Sequence, residues 1–188
     1  MPPTVLGDAA GALGLCFGLV SAVLDARSTG RGRVVDAAIV DVVAMLGTIV
    51  QAIRANGQID GKRPSPFYDS PFYDAYVCAD GRFITIGALE PQFYALLLKK
   101  LQLDDVDPAA QYDRDQWSSL KARLSELFAS YPSDHWSRLL EGSDVCFGRV
   151  LSIEDAVDHL HNKARGLYQK DTSGLVRTRG APRFLPLA

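Results

Sequence analysis

The sequence predicts a mixed α/β chain, α+β in arrangement: a helix-rich first third, then a small sheet set among helices. Three observations predict it. Residues 9–28 read as one long helix, small and apolar as far as Leu24. Residues 72–89 read as two β-rich runs on either side of Ala79-Asp80-Gly81, where the Asp-Gly pair supplies turn chemistry. Beyond Pro91 the apolar residues recur at helical spacing through "PQFYALLLKKLQL", "DRDQWSSLKARLSELFASY" and "PSDHWSRLLEG".

The elements follow in order. The first helix turns polar at Asp25, Arg27 and Ser28 and stops in "STGRGR". It is apolar nearly all round, so it is expected to be buried. Gly7, Gly11, Gly14 and Gly18 place a stripe without side chains along one face, suited either to another element or to a ligand. "RVVDAAIVD" reads as a short buried strand and "VVAMLGTIVQAIRANG" as one buried helix with Gly57 near its C-terminal cap. Asp36 and Asp41 in this stretch suit capping and pairing. Pro91 fits the first turn of a helix, which puts Glu90 at the handover from strand to helix. In "PSDHWSRLLEG", Ser133 or Asp134 is the expected N-cap and Gly142 the stop. "DVCFGRVLS" reads as a strand, "IEDAVDHLHNKARGLY" as one further helix, and the end as turn-rich and extended.

A domain boundary is expected at 58–71, where Gly, Pro, Ser and charged residues cluster. There "SPFYD" occurs twice in tandem, Ser65–Asp69 and Ser70–Asp74. Two copies do not make a repeat architecture. Their Phe-Tyr pairs either anchor the loop on a core or line a pocket.

Composition narrows the function classes. Hydrophobic residues make up 47%, charged residues 22%, and the net charge is −2, as in ordinary globular chains. No basic surplus points to nucleic acid. The uncharged run from Ala9 to Leu24 falls short of the ~18–20 residues that span a bilayer, so no membrane span is expected. Asp8 stands where a signal peptide would carry Lys or Arg. The three cysteines, Cys16, Cys78 and Cys146, are odd in number, which favours buried free thiols in a reducing, cytoplasmic setting.

Few residues carry chemistry. His159 and His161 lie two apart, do not face each other on a helix, and find no cluster to complete a metal site. "STGRGRV" lacks the spacing of a phosphate loop, and no G-x-S-x-G elbow occurs. Two carboxylates remain. Asp8 lies at the mouth of the Gly-rich helix, either as an ordinary N-cap or as an acid/base. Glu90 is either a charge at a helix start or its partner in proton transfer or nucleophilic catalysis.

These segments resemble a known family. "PPTVLGDAAGALGLCFGLVSAVLDARSTGRGRVVDAAIVD" resembles the middle of family III coenzyme A transferases: the Gly-Asp pair, the small-residue helix, the "TGRGRVVD" turn and "AAIVD". "PFYDAYVCADGRFITIGALEPQFY" is closer to the α-methylacyl-CoA racemase branch of that family. "SDVCFGRVLS" is similar to its late strand, with Arg149 where a proline is usual, and "APRF" to its tail. The resemblance implies a remnant of the large domain at 1–57, a linker at 58–71, a small α+β domain at 72–150 and a returning C-terminal segment at 151–188.

It further implies racemisation of 2-methylacyl-CoA thioesters through an enolate. Asp8 would act as one acid/base. Glu90 would hydrogen-bond the second, a histidine. Gly7, Tyr73 and Leu89 would touch substrate. No cofactor is implied, coenzyme A thioester being the substrate. In the transferase branch the same aspartate is the nucleophile. The family's histidine and most of its coenzyme A contacts lie upstream of the Gly-Asp motif, and His135, His159 and His161 do not stand in that place. The expectation is a chain inactive or incomplete alone, completed by a missing N-terminal half, a partner chain or a homodimer. The alternatives are a transferase piece and a non-catalytic dimerisation or binding module.

Overall fold

In the computed structural model, which describes residues 3–59 and 61–184, the chain divides after Ser65 into two units. The first unit is helical. α1 spans Pro3–Thr29, α2 Ile39–Leu46 and α3 Thr48–Ala55. Gly30 ends α1 with a positive φ of 71°, its N–H donating to the Ala26 carbonyl at 2.8 Å. Behind it the Arg33 guanidinium pairs with Asp25.

The glycine stripe of α1 is a packing surface. A Cβ at Gly11 would lie 2.7 Å from Ile39 Cγ1, at Gly14 2.6 Å from Val42 Cγ2, and at Gly18 2.8 Å from Val35 Cγ1. Those approaches leave room for hydrogen alone. At Gly7 a Cβ would sit 3.7 Å from Ile39, an ordinary contact.

Three expectations fail in this unit. The segment expected as a strand runs without a ladder from Gly30 to Ala38: Val35 packs on Gly18 of the stripe, Val34 faces solvent, and no strand of the unit pairs with it among the described residues. The single helix expected after it breaks at Gly47, which ends α2 and starts α3, while Thr48 Oγ1 donates back to the Met45 carbonyl at 2.7 Å. The apolar helices are also not buried. Phe17 is 77% exposed, Leu13 70%, Ile49 67% and Met45 64%. By length and composition Gly7–Thr29 could cross a membrane; the helix runs beyond the uncharged stretch into Asp8, Asp25 and Arg27 at its ends.

The second unit is built on a three-stranded antiparallel sheet in the order β1-β2-β3. β1 is Tyr73–Val77, β2 Phe83–Gly87 and β3 Phe147–Arg149. Tyr73 faces Gly87 across the hairpin, and Thr85 faces both Ala75 and Gly148. At the turn Gly81 has a φ of 72°, and Asp80 accepts from the Arg82 N–H. Alternation along β2 sends Ile84 and Ile86 into the core and leaves Phe83 half-exposed on the other face. The core closes with Tyr94 and Leu97 of α4 (Pro91–Lys100), Trp117, Leu124 and Phe128 of α5 (Trp117–Ala129), and Trp136 and Leu140 of α6 (Ser133–Leu140). Buried Phe72 makes edge contacts with Tyr94, Tyr112 and Trp117 at centroid distances of 5.4–5.6 Å.

Capping corrects two details. The N-cap of α6 is Pro132, with Ser133 and Asp134 in the first turn. Its orphan donor is met from the hairpin turn: Asp80 Oδ2 accepts from the Ser133 N–H at 3.0 Å and from Ser133 Oγ at 2.7 Å. The helix expected over 153–168 is two, α7 (Ile153–Asp158) and α8 (Leu160–Arg165), broken at extended His159. Asn162 Nδ2 donates to the Ala156 carbonyl at 2.8 Å, the carbonyl that Leu160 N–H would take in a continuous helix. His159 and His161 are both exposed. The end expected to be extended forms a hairpin of β4 (Tyr168–Lys170) and β5 (Val176–Thr178), and residues 185–188 lie outside the described residues. Of the three thiols only Cys78 is buried, while Cys16 and Cys146 are exposed.

Candidate active site

Asp8 and Glu90 belong to separate units, so each has its own surroundings. Asp8 lies inside α1, beyond its first turn, and is exposed. That corrects the N-cap reading: α1 begins at Pro3, so the carboxylate caps nothing at residue 8. It stands beside Gly7, at the end of the stripe where packing is loosest.

Glu90 does occupy a cap position, extended at φ −77° and ψ 140° ahead of Pro91, yet its carboxylate makes no capping hydrogen bond. Glutamate is not a favoured N-cap, and this one leaves its oxygens available. The backbone beneath it is held firmly. Gln111, nearly fully buried, donates from Nε2 to the carbonyls of Ala88 and Leu89, both at 3.0 Å. Tyr112 Oη donates to the Leu89 carbonyl at 2.6 Å. Trp117 Nε1 donates in turn to the Gln111 carbonyl at 2.8 Å. The Leu89 side chain is half-buried and packs against the core.

Tyr73 lines an open cleft of about 570 Å³ with Phe67, Tyr68, Thr85, Gly87 and Cys146. Its ring lies over Gly87, where a Cβ would meet Tyr73 at 3.6 Å and Cys146 Cβ at 3.7 Å. Phe67 sets its edge against Tyr73 at 6.3 Å. The tandem "SPFYD" therefore serves both ends offered for it: Phe72 anchors the core, while Phe67, Tyr68 and Tyr73 wall the cleft.

Cys146 joins the cleft to Glu90. It lines the cleft, and burial pushes its thiol up, with the charges of Glu90 and Asp144 acting the same way. Tyr112 is raised by burial and then by Glu90. Only the thiolate is a good nucleophile, so this upward shift disfavours reaction at Cys146, which serves as a wall of the cleft. Gln111 and Tyr112 fall outside the motifs read from the sequence; Cys146 lies in the stretch similar to the family's late strand, and Tyr73 and the aromatic pairs of the tandem repeat signalled the cleft. Among the described residues no cluster of three or more His, Cys, Asp or Glu could hold a metal ion.

The chain is 34% identical over 194 residues to the α-methylacyl-CoA racemase of Homo sapiens, covering 98% of this chain and 49% of that protein. It is 26% identical over 163 residues to the (R)-2-hydroxy-4-methylpentanoate CoA-transferase of Clostridioides difficile, covering 81% of this chain and 39% of that one. In fold it resembles a crystal structure of a CAIB/BAIF family protein from Brucella suis, with a TM-score of 0.68 at 20% identity, covering 98% of this chain and 50% of that one. The chain thus spans about half the length of the curated relatives it matches. CoA-transferase family III matches it over residues 1–186, and the protein belongs to that family.

Proposed function

We propose that this chain carries the Asp8 and Glu90 part of an enzyme that racemises or epimerises 2-methylacyl-CoA thioesters. The observation that carries the reading is the 34% identity to an α-methylacyl-CoA racemase along 98% of the chain. A thioester acidifies its α-carbon because the carbanion's charge spreads onto the carbonyl oxygen. Inversion needs one base to remove the α-proton from one face and one acid to return a proton to the other. Asp8, exposed and free of capping duty, is the acid/base of this chain. Glu90 is a positioning residue. Its uncapped carboxylate accepts a hydrogen bond from an imidazole that another segment or chain supplies, orienting the second acid/base. The aromatic cleft at Tyr73 takes the acyl chain, and Gly7 and Leu89 border the substrate.

The exposed apolar faces of α1, α2 and α3 fit the same proposal. Large contiguous apolar surface is rarely left to water. These faces are covered by the coenzyme A-binding half that the length difference from the relatives leaves over, or by a second copy of the chain.

The test is deuterium exchange at the α-carbon of a 2-methylacyl-CoA in D₂O, read by mass spectrometry. The chain is assayed alone and co-expressed with a polypeptide of the length that the relatives carry beyond the match. Exchange with the partner that falls by about 10²–10⁴-fold in Asp8→Asn is expected for loss of a general acid/base. Absence of exchange in both conditions overturns the reading. The second reading, a CoA transferase with the Asp8 carboxylate attacking the thioester carbonyl, is favoured by the transferase match and by the same accessible carboxylate. An acyl adduct trapped on Asp8 would establish it.

A further inference from the structure

We propose that the arginine-lined pocket at the end of the chain binds a phosphate group. Arg165, Arg179 and Arg183 border one concavity of about 350 Å³ with Gly166, Gly180 and Pro182, and no carboxylate lines it. The fold brings the three together. Gly166 ends α8 in the left-handed region at φ 59°, and the Arg179 guanidinium lies across it, with Nη1 3.3 Å from where a Cβ would stand. The Arg179 N–H donates to the Leu167 carbonyl at 2.9 Å, which fixes the base of that side chain. Arg183 Nη1 donates to the Arg165 carbonyl at 2.7 Å.

Three carboxylates of the same stretch are paired elsewhere. Asp158 holds Lys163 at 2.8 Å, Asp171 holds Arg177 at 3.1 Å, and Asp155 holds Arg82 at 2.8 Å. Three arginines border one hollow that no carboxylate lines, so an anion seated there is favoured. The α8 C-terminal carbonyl engages one donor of Arg183. A guanidinium carries five, so the rest remain for a ligand. Planar forked donors match the oxygens of a phosphate, and the glycine backbone lets a group of that size approach. A phosphate mono- or dianion is the ligand class. It comes either from the 3′-phosphate of coenzyme A or from free phosphate, and the test separates the two.

The full chain is titrated with sodium phosphate by isothermal calorimetry, against sodium chloride at matched ionic strength. Saturable phosphate binding is expected. It should weaken by about tenfold to a hundredfold in Arg165→Gln/Arg179→Gln, the loss of one or two charge-assisted hydrogen bonds. Arg179→Lys, which keeps the charge and loses the fork, should fall between. Arg183 is left intact because it also holds the α8 terminus, and unchanged melting of the variants without phosphate shows that folding is retained. Coenzyme A and dephospho-coenzyme A form the second arm. A double-variant defect for the first compound alone assigns the pocket to the 3′-phosphate; equal affinities for both, with phosphate binding still lost, assign it to free phosphate. No saturable phosphate binding, or binding unchanged in the double variant, overturns the proposal. Neither outcome depends on α-proton exchange, so failure here is distinct from failure of the racemase reading.

Discussion

The Asp80 carboxylate caps α6 through Ser133, taking both its N–H and its hydroxyl across 53 residues of chain. Arg149 of β3 donates to the same Ser133 hydroxyl at 3.2 Å and pairs with Asp134 at 2.7 Å. Hairpin turn, helix start and third strand thus meet at one hydroxyl. Desolvation works against ionised Asp80, but the bonds from Ser133 and from the turn amides outweigh it, and the carboxyl lies below its ordinary value. A depressed folded value stabilises the native state above the unfolded value and loses that contribution as pH falls through the folded one. Asp80→Asn should therefore melt lower than wild type at neutral pH. The two melting curves should converge as pH drops below the ordinary carboxylate range. A gap that persists in acid would show that the charge is not what matters.

The relation of Glu90 to Cys146 can be read by thiol labelling. Cys78 is buried and its thiol is pushed up to about 11 by burial first and Asp80 second, so it should resist labelling until the chain unfolds. Cys146 is exposed but raised, so its labelling should be slow at neutral pH and speed up with alkalinity. Only the thiolate reacts, and removing a nearby negative charge lowers a thiol's pKa. Glu90→Gln should then accelerate Cys146 labelling at fixed pH, leaving burial and Asp144 to hold it partly raised. An unchanged rate would separate the two residues.

The glycines of α1 should divide by position. Alanine in a helix interior is normally worth about 1 kcal/mol over glycine. At Gly7 the space exists, and Gly7→Ala should raise the melting temperature or leave it unchanged. At Gly14 the new methyl would meet Val42 at 2.6 Å. Gly14→Ala should cost about 1–3 kcal/mol through overpacking, despite its better propensity. Chemical denaturation of the full chain measures both. Equal effects at the two sites would mean that α2 does not pack on the stripe.

What the sequence made legible follows from where each signal resides. The hairpin, α4 and the late strand were readable because alternation, an Asp-Gly turn and an N1 proline are local. The extended 30–38 segment was not, since Val34 and Val35 are β-formers whatever surrounds them, and here Val35 packs on Gly18 while Val34 faces solvent. Burial of α1 was misread for a related reason. An apolar helix implies a cover, but Phe17 and Leu13 show that the cover is not within this unit. In the candidate site Glu90 and Tyr73 stood in recognisable stretches. Gln111 and Tyr112 act through side-chain bonds to residues 22 or 23 positions away, a relation that no periodicity records.

That pair yields the last prediction. Gln111 and Tyr112 hold the carbonyls that precede Glu90, and they differ in burial. Gln111 is 3% exposed, and its Oε1 finds no partner among the described residues, a place suited to a water. Gln111→Leu strips the Ala88 carbonyl of its buried side-chain donor and leaves the Leu89 carbonyl to Tyr112 alone, and should cost about 1–3 kcal/mol. Tyr112 is 47% exposed, and water can replace its hydroxyl at the Leu89 carbonyl, so Tyr112→Phe should leave the melting temperature nearly unchanged. Each substitution removes one of the two side-chain donors that hold the Leu89 carbonyl next to Glu90. On the racemase reading proposed above, Tyr112→Phe should lower kcat for α-proton exchange in the co-expressed assay while KM stays level, because the cleft at Tyr73 is untouched. Should KM rise instead with kcat unchanged, Tyr112 shapes binding, and the orientation of Glu90 does not depend on it.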